Sequence, residues 1–112
     1  MFEKEIERGM EVLDSQLGPT WPLKIDASCL ELMDPCQCVV GQLTGSFVLT
    51  LQRWGIWGNS DKLTDSRPSM YGFALPDECY DESNSPKPGM WNLLTEEWLI
   101  AIKTRIDAGI KL

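Results

Sequence analysis

The chain has no histidine among its 112 residues, which excludes histidine general bases, His-based triads and His-ligated metals. Cations are scarce: 10 Lys and Arg stand against 17 Asp and Glu, for a formal charge of −7 and a pI near 4.4. Affinity for nucleic acid comes largely from cations displacing phosphate counterions, so direct nucleic-acid binding is disfavoured while basic partners stay open. No Gly-rich phosphate loop of either standard spacing occurs. No basic segment followed by an apolar run opens the sequence, so no secretory signal is expected. The longest uncharged stretch, 35–52, is interrupted by Gln37, Gln42, Thr44, Ser46, Thr50 and Gln52 and fails as a membrane span. The expectation is a soluble cytoplasmic protein of a reducing compartment, with no membrane contact and no cofactor.

What is present points to one mainly helical domain over residues 1–112. The length suits a single core, and 43% hydrophobic residues with five tryptophans supply the material for it. Asp34 is placed to cap a helix, Pro35 suits its first position, and Gln37 sits where a capping box wants it. Val40, Leu43, Phe47, Leu51 and Trp54 then recur at steps of three and four. This predicts a central helix over 35–54, around which a small bundle is built with irregular aromatic-rich connections. Gly41 and Gly45 share one face of that helix. Each costs about 1 kcal/mol relative to alanine in a helix interior, so a close approach by another helix or an aromatic ring is expected there.

The flanking segments are read the same way. Phe2, Ile6, Met10, Leu13 and Leu17 form a helical stripe, and Gly18-Pro19 ends it. Residues 19–33 carry prolines and no clean period, which suggests an extended lead-in with a helical turn near Ser28. The alternation of Trp21, Leu23 and Ile25 there suits packing on the core helix. Gly55, Gly58, Asn59 and Pro68 mark a loop after Trp54. The apolar run Tyr71–Leu75 fits a buried strand or a helix fragment, and the polar stretch 77–89 an exposed loop. Thr95 is a suitable cap for a last helix, with Glu96 and Glu97 complementing its dipole. Its stripe is Trp98, Leu99, Ile102, Arg105 and Ile106, and Gly109 with Ile110 closes it. The central helix is expected to be enclosed by the first and last helices and by the segments around Trp21, Trp57, Phe73 and Trp91.

Candidate chemistry is thin. Cys29, Cys36, Cys38 and Cys79 are four thiols, the number a tetrahedral zinc site needs. Their spacing is not that of paired C-x₂-C knuckles, and reduced, mostly buried cysteines are the simpler reading. A thiol at a helix N-terminus, as at Cys36 or Cys38, has its pKa lowered by the dipole, and the alternative function is a cysteine-dependent module that binds zinc through these four thiols or senses redox. Asp61 and Asp65 lack the ligand alternation and final Glu of a calcium loop. An enzyme built on these carboxylates or on the 77–82 cluster is the weakest reading, since no motif pairs them. The acidic residues have a different reading as a surface. Glu3, Glu7 and Glu11 line one face of the first helix, and Asp77, Glu78, Asp81 and Glu82 crowd one loop. Each set is either a solvated acidic face or a ridge presented to a basic partner. Trp54 and Trp57 are the apolar alternative, as anchors for a partner's pocket.

The run Cys38-Val39-Val40-Gly41-Gln42-Leu43, preceded by Asp34-Pro35-Cys36, resembles the CVLGQL-type signature of a family of small proteins of unassigned activity encoded by actinobacteria and their phages. Trp21, Ile25-Asp26, Leu30 and Leu32 look like that family's lead into the signature. Tyr71-Gly72-Phe73 is similar to its HGF-type segment, and Leu94-Thr95-Glu96-Glu97-Trp98 to its closing LTxxW helix. The chain departs from the pattern at Thr44, where the family often has an aromatic, at Tyr71, where it has a histidine, and in a longer 77–89 loop. The resemblance implies a small intracellular or phage-derived domain and transfers no catalytic residue. Together with the charge, it leads to the expectation of a non-enzymatic acidic interaction protein. A phage-encoded inhibitor occupying the basic, nucleic-acid-binding site of a host defence protein is one form of it.

Overall fold

Helical periodicity carries through to the tertiary structure. The computed structural model describes residues 1–56 and 67–109, and five α-helices occur among them with no named strand. The chain is mainly helical and forms one globule with a radius of gyration of 13.6 Å, close to the roughly 13 Å of a compact domain of this length. Trp57, Asp61, Asp65 and Ile110 lie outside the described residues.

Helix α1, Glu3–Leu17, buries Ile6, Gly9 and Leu13, with Phe2 buried just ahead of it. Helix α5, Met90–Asp107, buries Leu94, Trp98 and Ile102 at steps of four. It begins at Met90, not at Thr95, because Gly89 at φ 79° turns the chain into it. Thr95 is inside the helix, where its hydroxyl donates to the Trp91 carbonyl at 3.0 Å and accepts from the Leu32 N–H at 3.1 Å. The expected cap is therefore a tie between the last helix and the 19–33 segment. The helical turn expected near Ser28 is the 3₁₀ turn Ala27–Cys29, but the lead-in to it is not extended: a 3₁₀ turn at Trp21–Lys24 buries Trp21 and leaves Leu23 exposed, so the expected alternation fails.

The expected central helix over 35–54 is two helices, α2 at Val39–Thr44 and α3 at Phe47–Arg53. Asp34 does accept from an N–H, that of Cys36 at 2.8 Å, but it organises only the turn that ends at Cys38. The cap of α2 is Cys38, whose Sγ accepts from the Gly41 N–H at 3.2 Å. Gly45, at φ 85°, closes α2 in the left-handed region, and Ser46 caps α3 by accepting from Leu49 N–H. The two glycines thus have different reasons. A Cβ on Gly41 would collide with the carbonyl of Pro35, so the close partner is the preceding turn, neither a second helix nor a ring. Gly45 has open space around it and is needed for its φ.

The centre of the molecule is aromatic. Trp98 stacks on Phe73 with centroids 5.9 Å apart and meets Trp21 edge-on at 6.4 Å. Its indole N–H donates to the Gly72 carbonyl at 2.6 Å, which satisfies the polar end of a fully buried side chain. Gly9 of α1 lets the Tyr71 carbonyl and the Trp98 ring approach. Trp21, Asp14 and Arg105 form a second node: Asp14 Oδ1 accepts from the indole of Trp21 and from the guanidinium of Arg105, each at 2.8 Å. Helices α1 and α5 and the Trp21–Lys24 turn therefore pack around Trp98, and α2 reaches them through that turn. The 35–54 segment is a wall of this core, contributing Val39, Val40 and Leu51, while Leu43, Phe47 and Trp54 are only half-buried. Tyr71–Leu75 forms no strand; it follows a short helix α4, Arg67–Met70, and inserts Phe73 and Leu75.

Candidate functional site

The residues of the 38–43 run, with Gly72 and Thr95, hold the fold together. Cys38 caps α2 and Gly41 admits the preceding turn. Gln42 clamps residue 26: its Oε1 accepts from the Asp26 N–H at 2.7 Å, and its Nε2 donates to the carbonyls of Asp26 and Gln37, both at 3.1 Å. Gly72 receives the indole of Trp98, and Thr95 receives Leu32. These residues are accounted for by packing and backbone satisfaction.

The thiols are split between surface and core. Cys29 and Cys36 are exposed, Cys38 and Cys79 are buried, and all four are free. Among the described residues, no three His, Cys, Asp or Glu side chains are placed to hold a metal ion. Burial pushes the thiol pKa of Cys38 up, and the N–H groups of Gly41 and Val40 offset this only in part. The expected lowering at a helix N-terminus is outweighed by desolvation, because the sulfur points into the core. Burial raises the thiol pKa of Cys79 as well.

The acidic sets differ in how they are engaged. Glu3, Glu7 and Glu11 are all exposed on α1. The terminal amine bonds Glu3 Oε1 at 2.7 Å and holds its carboxyl below the usual range. Glu7 and Glu11 have no ion pair among the described residues. In the 77–89 loop, Asp77, Glu78, Asp81 and Glu82 are exposed, but the loop is organised. Asp81 Oδ1 accepts from the N–H groups of Ser83 at 2.8 Å and Ser85 at 3.0 Å, and Tyr80 pairs with Pro86 across the turn. Asp81 is thus a turn-former before it is a recognition residue. Trp54 is half-buried against the core.

One concavity gathers two members of the first acidic set, Glu3 and Glu7 but not Glu11, with apolar residues that the sequence pattern had not joined to them. The 3/7/10 edge of α1 runs beside the 97/100/101 edge of α5, and between them lies an open groove of about 290 Å³ lined by Glu3, Ile6, Glu7, Met10, Glu97, Ile100 and Ala101. No cationic side chain lines it. Glu97 joins the two helices: its Oε1 accepts from the Phe2 N–H at 2.9 Å and the terminal amine at 3.1 Å, while Oε2 has no donor among the described residues. Ile100 is 65% exposed at the lip. The sequence signal for it was the run Trp98-Leu99-Ile100-Ala101-Ile102, which holds more apolar residues than one helix face can bury.

Fold and groove together define a class, a small mainly helical globule with an acidic-rimmed apolar groove on its surface. Compared with protein-family models, curated proteins and solved structures, the chain matches none of them.

Proposed function

We propose that this chain is a non-enzymatic interaction protein that uses the acidic ridge of α1 to hold a basic surface of another protein. The observation that carries this reading is that Glu7 and Glu11 stand exposed on a regular helix without an ion-pair partner among the described residues, beside a groove that no cationic side chain lines. Like charges four apart oppose α1 by about 0.2–0.5 kcal/mol per pair, and a basic partner would relieve that cost. The charge of −7 steers such a partner inward at long range. Within this reading the partner is a host protein whose basic site ordinarily holds nucleic acid, and the chain acts as its inhibitor in the host cytoplasm.

The test is to isolate a partner on immobilised protein and measure its affinity across a salt series, for wild type and for Glu3, Glu7 and Glu11 reversed together to lysine. Binding is expected to weaken steeply with salt, because exposed charges are screened beyond roughly 8 Å at physiological ionic strength. The triple reversal is expected to abolish it. Reversal of Asp77, Glu78 and Glu82 separates the loop from the ridge. An affinity indifferent to salt and to both reversals would reject the acidic surface.

A further inference from the structure

We infer that the groove between α1 and α5 is the docking site for a basic amphipathic helix of the partner, with the helix's apolar face on Met10, Ile100 and Ala101 and its lysines or arginines on Glu3 and Glu7. The inference deepens the acidic-ridge reading and rests on it.

Three features of the groove choose this occupant. Its lining is apolar, with Ile6, Met10 and Ala101 inside and Ile100 at the lip, and the exposed carboxylates of Glu3 and Glu7 rim its α1 side, while Glu97 on the α5 side is turned inward to the Phe2 N–H and the terminal amine. An apolar stripe with cations along one flank is the complementary pattern. Its length also fits. Glu3 to Met10 is two turns of α1, about 10 Å of rise, which spans anchors at i, i+4 and i+7 of a docked helix. Its volume of about 290 Å³ lies at the lower end of small-molecule sites, roughly 300–1,000 Å³, and suits side chains inserted from a partner. A second copy of this chain is a poor occupant, because a symmetric contact through the groove would set the exposed Glu3 and Glu7 against the same residues on a molecule of the same net charge.

The experiment uses the full chain, ¹⁵N-labelled, and a synthetic helical peptide of about four turns carrying leucines at i, i+4 and i+7 and lysines along one flank of that stripe. Two matched peptides have the lysines replaced by glutamate or the leucines by serine. The basic peptide is expected to shift the amides of 3–10 and 97–101, and the two matched peptides to leave them unmoved. Ile100→Ala removes the apolar anchor at an exposed helical position where alanine is the better helix former, so the fold is retained. This substitution is expected to weaken peptide binding about tenfold, as is typical of a truncated anchor. Glu7→Lys is expected to weaken it by a similar factor.

The inference is overturned if the peptide shifts amides elsewhere or nowhere, if Ile100→Ala binds as wild type does, or if the groove proves to hold a second copy, seen as self-association that Ile100→Ala abolishes. The two readings fail separately. Partner binding lost on reversal of the ridge but kept in Ile100→Ala leaves the acidic ridge standing and removes the groove; the opposite pattern removes the ridge together with the basic character of the occupant.

Discussion

Cys38 shows how much one side chain does here. Its sulfur caps α2 by accepting from Gly41, sits 3.7 Å from the Pro35 carbonyl as a donor, and is 1% exposed. Burial raises its pKa above the ordinary thiol value of about 8.5. The sign follows from linkage. The unfolded chain loses this proton first as pH rises, so the stability contributed by the neutral buried thiol is complete below about pH 8.5 and is lost as pH climbs toward the folded-state pKa. The wild-type urea midpoint is therefore expected to fall between about pH 7.5 and pH 9.5. Cys38→Ser keeps a capping acceptor and removes the ionisation, so its midpoint should fall less over the same range. Some slope should persist, because the buried Cys79 thiol is raised in the same direction. A variant as alkali-sensitive as wild type would show that Cys38 does not carry the effect.

At the scale of elements, the 34–54 segment turns on two glycines that look equivalent in sequence. Gly41→Ala drives a methyl into the Pro35 carbonyl, and overpacking of this kind costs about 1–3 kcal/mol. Gly45→Ala meets nothing but must hold φ near 85°, which costs a non-glycine residue about 1–2 kcal/mol. The two are distinguished by Gly45→Asn. Asparagine tolerates the left-handed region, so it should recover part of the loss at 45, whereas at 41 it should be worse than alanine. Thermal melts of the four variants measure this. The boundaries of α1 were legible because stripe, stop and Gly18 agree. Those of α5 were legible only at the C-terminal end, since Thr95 looks like a cap until its hydroxyl is seen bonding Trp91 and Leu32 within the fold.

For the whole molecule, the core is organised by Trp98, and costs of truncation should follow burial and not position along the central segment. Leu51→Ala and Leu13→Ala, both at fully buried sites, are expected to cost about 2–5 kcal/mol. Leu43→Ala, on the same helical period but half-buried, should cost under about 2 kcal/mol, and Glu7→Ala no more than about 0.5 kcal/mol. Urea denaturation ranks them. A Leu43→Ala midpoint as low as that of Leu51→Ala would restore the 35–54 stretch to the centre of the fold.

By itself the sequence determined the helical class, the position of α1 and the C-terminal end of α5, the acidic balance and the absence of histidine chemistry, because each of these is a local or summed property. Periodicity shows that an element has an apolar face, and composition shows the charge that must be carried. Only the tertiary structure decided that the central stretch breaks at Gly45, that Cys38 and not Asp34 caps the helix there, and that Trp98 with Phe73 and Trp21 forms the centre. It also decided that Glu3 and Glu7 share a groove with Glu97 and Ile100, residues about ninety positions further along the chain. The reason is that a period does not say which face meets which. A glycine is consistent with a close approach or with a positive φ, a threonine with a cap or an interior tie, and a thiol with a lowered or a raised pKa, until the neighbours brought in by the fold select between them.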